Sequence, residues 1–348
     1  MARTVIPFGP QHPVLPEPVH LDLVVEDEKV IEARPSIGFI HRGLEKLAET
    51  KDYIEFVYVA ERICGICSFI HGQTYCQAIE TIMNIEVPPR ARYLRTVWGE
   101  LSRLHSHLLW LGLMADGMGF ESLFMHSWRM REKVLNIIEA TTGGRVIFGS
   151  CKVGGVRRDI NADTIKTILT DLDGIEKDMR DLTRVFLNDR SVKARLSGIG
   201  VLTKQEAWDL GCVGPMLRAS GVAQDMRQQG YAAFKDIPVV PITRTEGDSY
   251  ARCAVRCEEL FQSLEIIRQA FEDSRWRDRR ESHRQSHRRD HHAHRTAARR
   301  GGLPFESQRL QIPAAVPRAH ADVCQPAGHV EGVAGLRPGR RADDCAHD

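Results

Sequence analysis

The apolar periodicity that a packed core requires runs from the N-terminus to Glu272 and stops there. Beyond that point Arg, His, Ser, Pro and Ala replace the Lys, Ile and Leu mixture, and neither a helical nor a strand period survives. Residues 273–348 contain fifteen Arg, no Lys and ten acidic residues; they contribute +5 to a chain that totals +2, which leaves residues 1–272 at −3. A globular fold must therefore be built by residues 1–272, and residues 273–348 read as a basic, disordered tail.

The genetic code offers a sharper reading of that tail. Moving the degenerate codons of Asp273 to Arg280 forward by one base permits Ile-Pro-Asp-Gly-Glu-Ile-Ala-Val, which is ordinary protein sequence. The same shift permits Thr-Pro-Thr-Phe-Ala-Asn-Leu-Pro-x-Met-Leu-Lys from His320 to Gly332, and Val-Pro-Met-Ile-Val-Leu-Thr from Arg341 to His347. The tail thus has the marks of a reading-frame shift, and sequencing the gene beyond the Glu272 codon tests it.

Within residues 1–272 the fold class is α+β, mostly α-helical, with a small antiparallel β region over 1–36 and a bundle of long helices over 37–272. His20 to Val25 and Val30 to Ala33 are β-rich runs around Glu26-Asp27-Glu28, the pattern of a hairpin. Ile165, Ile168, Leu169, Leu172, Ile175, Met179, Leu182 and Phe186 form one helical stripe, with Asn161 or Asp163 as its cap. Thr203 with Glu206 predicts a capping box. Long helices are also expected from Pro89 to about Leu113, from Glu121 to Ala140 and from Tyr250 to Phe271.

At 42% apolar and 27% charged, the chain supports a large core. The most apolar run, Leu108 to Phe120, is cut by Asp116 and several Gly, so no membrane span is expected. No signal-peptide pattern opens the chain. Nine Cys without a regular framework then point to reduced thiols in the cytoplasm.

Only Cys64 and Cys67 have ligand spacing, in Glu61-Arg62-Ile63-Cys64-Gly65-Ile66-Cys67-Ser68-Phe69-Ile70-His71-Gly72. Two thiolates at a turn that opens a helix chelate one soft metal, and the helix N-terminus favours ionisation of Cys67. Arg62 adds positive charge, and His71, one helical turn on, is placed to support the site from behind. A closed zinc site needs four ligands and has no second CxxC to draw on. A thiol–disulfide oxidoreductase remains open on the motif alone, although the βαβ setting of such proteins is missing.

The surrounding blocks decide further. Gly9-Pro10-Gln11-His12-Pro13, Gly38-Phe39-Ile40-His41-Arg42-Gly43-Leu44-Glu45-Lys46, Gly143-Gly144-Arg145, Gly214 to Gly221 and Gly247 to Arg252 resemble blocks shared by [NiFe] hydrogenase large subunits and the quinone-site large subunit of respiratory complex I. Arg62-Ile63-Cys64-Gly65-Ile66-Cys67 favours the hydrogenase branch, of the membrane-bound energy-converting type, because complex I subunits lack the cysteine pair.

That resemblance implies a nickel–iron centre, its iron carrying carbon monoxide and two cyanides, at which dihydrogen is split or formed. It implies Cys64 as a terminal nickel ligand, Cys67 as the sulfur bridging nickel and iron, and Glu45 as a ligand of a nearby Mg2+. His12, Arg62 and His71 are implied as residues around the cofactor. The implied partners are a small subunit with iron–sulfur clusters, membrane-embedded ion-translocating subunits and maturation proteins, with no nucleic acid, and the implied location is the inner face of the cell membrane. The family ends in Asp-Pro-Cys-x-x-Cys, which supplies the other two sulfurs; neither Cys324 nor Cys345 has a partner at that spacing. The chain as written is therefore expected to be inactive. Two other readings are a complex-I-like quinone-site scaffold without nickel and, on the tail alone, a basic nucleic-acid binder.

Overall fold

The computed structural model describes residues 3–12, 15 and 17–273, so the readings of the tail beyond Asp273 lie outside the described residues. Strands β1 (Thr4–Phe8), β2 (His20–Glu26) and β3 (Lys29–Ser36) form an antiparallel sheet in that order. The expected hairpin is β2–β3. Its two connecting residues, Asp27 and Glu28, both lie in the left-handed region at φ 47° and 63°, the turn geometry that matches the right-handed twist of paired strands. Leu21, Val24 and Ala33 bury the sheet's apolar side chains.

The remainder is helical: α1 (Leu44–Thr50), α2 (Phe56–Ala60), α3 (Ser68–Ile82), α4 (Pro89–Gly117), α5 (Glu121–Thr142), α6 (Ala162–Asn188), α7 (Arg190–Leu196), α8 (Lys204–Asp209), α9 (Gly214–Ala219) and α10 (Ser249–Glu272). A two-stranded ribbon, β4 (Cys151–Lys152) with β5 (Gly155–Val156), follows α5, and a single 3-10 turn spans Met226–Gln229.

The caps come where the residues ask for them. Asn161 accepts from the Thr164 N–H at the start of α6, and Thr203 and Glu206 close a capping box on α8. On α6 the predicted stripe is the buried one, from Ile168 through Phe186. Pro89 opens α4 at a position where its missing N–H costs nothing. Gly247 shows why its block requires glycine: φ is +65°, and a Cβ there would sit 2.2 Å from the Leu202 carbonyl oxygen.

Helix α4 is the axis of the fold and packs along α5 and α10. Buried residues lie on all its sides, from Arg90 to Ala115, charged groups included. Those charges meet partners from distant elements. Arg227 donates to Asp225 at 2.6 Å and lies 3.4 Å from Glu100; Arg218 pairs with Glu259 at 2.7 Å; Arg103 pairs with Glu100 at 3.2 Å. His107 reaches Glu259 at 2.7 Å, and Ser263 donates to Glu100 at 2.6 Å. All these groups are buried. Three carboxylates face three guanidiniums, so the network is neutral overall, the condition under which charges survive in a low-dielectric interior. It ties α9 and the 3-10 turn to α4 and α10. Among the described residues no helix is long and apolar enough to cross a membrane.

Candidate metal centre

The site is built at the junction of α2 and α3. The chain leaves α2 at Ala60, passes through the Arg62 to Ile66 loop, and enters α3 with Cys67 as N-cap at φ −106°, ψ 28°. His71 lies four residues on, so one helical turn places its ring over the Cys67 side chain. Cys64 is carried back to the same spot by the loop. The Cys64 and Cys67 sulfurs and one His71 ring nitrogen all lie within 4.8 Å of one another. Cys67 and His71 are buried, and Cys64 is half-buried.

The electrostatics of Cys64 are mixed. Burial raises its thiol above the ordinary value, while the Cys67 and Ile66 N–H groups favour the thiolate. The Ile66 N–H lies 3.4 Å from the Cys64 sulfur. Glu17, on the segment before β2, pushes the thiol up further through its negative charge.

Thiols are retained at Cys64, Cys76, Cys151, Cys212, Cys253 and Cys257.

Two sulfurs and an imidazole suit a soft metal such as nickel. They make half of a four-thiolate site, and among the described residues no other cysteine joins the group.

The remaining residues expected at the site are spread more widely. Arg62 is exposed and turns its guanidinium away, donating to the Tyr58 carbonyl at 2.8 Å; the Arg62 carbonyl in turn accepts from Arg42. Its positive charge pulls the Glu61 carboxyl down. Glu45 is 81% exposed and pairs with His41 at 3.5 Å, outside the cysteine group. His12 is half-buried, with its ring 4.3 Å from that of Phe8, and is also outside the group.

Three neighbours went unread in the sequence. Glu17 is one. Glu61, three residues before Cys64, is buried in a cleft of about 300 Å³ that Arg62, Arg157 and Arg158 also line. Burial pushes its carboxyl up to about 7, against the pull of Arg157, Arg62 and the Gly149 N–H. His105, on α4, is the third: it is fully buried, with the Ile66 backbone against its ring. A sequence signal for it exists, since polar residues such as Glu100, Arg103, His105 and His107 amid the Leu and Trp of α4 mark a helix buried all round.

Two family models match. Residues 42–114 match the nickel-dependent hydrogenases, and residues 117–302 match the 49 kDa subunit of respiratory-chain NADH dehydrogenase, a match that runs past the composition break at Glu272. The alpha subunit of the membrane-bound hydrogenase of Pyrococcus furiosus is 37% identical over 275 residues, covering 77% of this chain and 64% of that protein. An F(420)H(2) dehydrogenase subunit of Methanosarcina mazei is 38% identical over 269 residues, or 77% of this chain and 72% of that one. An NADH-quinone oxidoreductase subunit of Campylobacter jejuni is 37% identical over 269 residues, 77% and 66% respectively. The chain thus spans somewhat less than two thirds of the Pyrococcus protein. With both family models matched in succession along one chain, and relatives of this identity on each side, the protein belongs to the family that joins nickel-dependent hydrogenase large subunits to the 49 kDa subunit of respiratory-chain NADH dehydrogenase.

Proposed function

We propose that this chain is the large subunit of an energy-converting [NiFe] hydrogenase carrying one half of the metal site. The observation that supports it is the convergence of Cys64, Cys67 and His71 within 4.8 Å at the mouth of α3. A nickel–iron centre supplies the polarisation of dihydrogen that no side chain achieves. Cys64 and Cys67 would hold it through their thiolates, with His71 behind them as donor or hydrogen-bond partner. The half-buried Cys64 sulfur would be the group that holds a proton beside the centre.

Glu45 would serve Mg2+ in the assembled complex. His12 and Arg62 complete the surroundings in the same way. The complex comprises an iron–sulfur small subunit as electron acceptor, membrane-embedded ion-translocating subunits and, during assembly, maturation proteins; the chain docks peripherally at the inner face of the membrane. The sequence contains a single CxxC, so the 348 residues alone hold an incomplete thiolate set and turn over no hydrogen. The test is to co-express the 348-residue chain and a frame-corrected version with the partners and maturation proteins. The corrected protein should contain one nickel per chain and evolve hydrogen, and the uncorrected chain should not. A nickel-free, correctly matured protein would refute the proposal.

A quinone-site scaffold is the second reading, favoured by the longer family match and the dehydrogenase relatives. It predicts no nickel in the corrected protein and protection of its surface by a quinone analogue.

A further inference from the structure

The cleft of about 300 Å³ beside the cysteine loop has the parts of a second site. Glu61, on its wall, is 1% exposed, and neither carboxylate oxygen has a hydrogen-bond partner among the described residues. A buried carboxyl in that state is costly unless a group from outside the chain completes it. The backbone is shaped to hold it there. A Cβ at Gly72 of α3 would sit 2.7 Å from the Glu61 Cγ, so glycine is what lets the side chain lie against the helix. On the other side Oε2 faces Gly149, another wall residue, where a Cβ would be 3.5 Å away.

Arg157 and Arg158 line the same cleft. The Arg157 guanidinium lies 4.4 Å from the centre of the Tyr58 ring and donates through Nε to the Cys151 carbonyl at 3.2 Å, which leaves its terminal N–H groups for another acceptor. The Arg158 guanidinium lies flat over Gly143, where a Cβ would meet three of its atoms at 2.9 to 3.1 Å. Neither arginine forms an ion pair among the described residues. Guanidiniums take the oxygens of an oxyanion, whereas an ionised carboxylate only accepts and repels a bare anion. One kind of small ligand satisfies both demands: an anion that keeps an O–H of its own. We propose that the cleft binds hydrogen phosphate, with Arg157 and Arg158 donating to its charged oxygens and Glu61 accepting from its O–H. The site needs no metal and stands independently of the hydrogenase reading.

The experiment is calorimetric titration of the reduced full chain with inorganic phosphate, sulfate and methyl phosphate at about pH 8.5. There the Glu61 carboxyl, raised by burial to about 7, is ionised; inorganic phosphate retains one proton, while sulfate and methyl phosphate have none. The wild type should prefer inorganic phosphate over both by about a hundredfold or more, because a site built around an O–H leaves its acceptor unpaired against an analogue that lacks one. Methyl phosphate therefore separates free phosphate from a phosphorylated headgroup or metabolite. Arg157→Met and Arg158→Met should each weaken phosphate binding about tenfold, the loss of one charge-assisted bond. In Glu61→Gln the amide donates to a bare oxygen, so sulfate should bind within about threefold of phosphate. No saturable phosphate binding by the wild type would overturn the proposal. So would equal affinity for phosphate and sulfate, the result expected of exposed arginines elsewhere in the chain, or a Glu61→Gln protein that still rejects sulfate. Should Glu61→Gln fail to fold, the wild-type preference and the two Arg variants decide.

Discussion

Replacing Arg227 by Met should destabilise the protein more than any surface change could. Arg227 is buried, donates to Asp225 through Nε at 2.9 Å and a terminal nitrogen at 2.6 Å, reaches Gln262 at 2.7 Å and lies 3.4 Å from Glu100. Without it Asp225 keeps only Arg218, at 3.7 Å, and the interior holds three carboxylates against two guanidiniums. Removing one member of a buried pair costs about 3–5 kcal/mol, because the survivor stays desolvated and uncompensated. For a unit of this size that corresponds to a melting point lower by about 6–20 °C. The double variant Arg227→Met/Asp225→Asn neutralises the leftover charge while keeping an oxygen to cap the 3-10 turn, and should recover about half of the loss or more. Urea unfolding of the three proteins measures both quantities. A single-variant loss below about 1 kcal/mol, or a double variant that simply adds two losses, would refute the reasoning.

Other expectations follow from the same interior. Burial holds the folded values of His105 and His107 at about 3 and about 4, so between about pH 4 and 6.5 the unfolded chain takes up protons that the folded one refuses, and stability falls as pH falls. Glu61 opposes this over an overlapping range, because its folded value of about 7 lies above the unfolded one and its stabilising proton is lost as pH rises. Two histidines outweigh one glutamate, leaving a net loss of about 1 kcal/mol per pH unit from pH 6.5 to 5; urea midpoints that stay level over that range would contradict it. Glu61→Gln removes the opposing member, so its stability relative to wild type should be about 2–3 kcal/mol better at pH 8 than at pH 5, and a pH-independent difference would reject the raised carboxyl. Gly112→Ala places a Cβ 2.8 Å from the Trp128 ring where α4 meets α5 and should cost about 1–3 kcal/mol by overpacking, with an unchanged melting point as the contrary result.

What the sequence showed and what it hid divide along local and distant contacts. The caps at Asn161, Thr203 and Glu206 and the α6 stripe were legible because each depends on residues within a turn or two. The cysteine pair was legible for the same reason, since Cys64, Cys67 and His71 sit within eight positions. Asp225 and Arg227 have no such local signal: they are members of a buried network that includes Glu100, more than a hundred residues away. His105 and Glu17 reach the cysteine loop only through the fold. Glu45 and His12 show the converse, as residues in specific motifs that lie apart from the cysteine group.

The most direct test of the central claim is X-ray absorption of Ni2+ bound to the fully reduced chain. The account predicts one nickel whose near neighbours include two sulfurs and one imidazole nitrogen, with one sulfur lost in Cys64→Ser and in Cys67→Ser and the nitrogen lost in His71→Ala. A nickel shell of oxygen and nitrogen alone, or one unchanged by these substitutions, would contradict it.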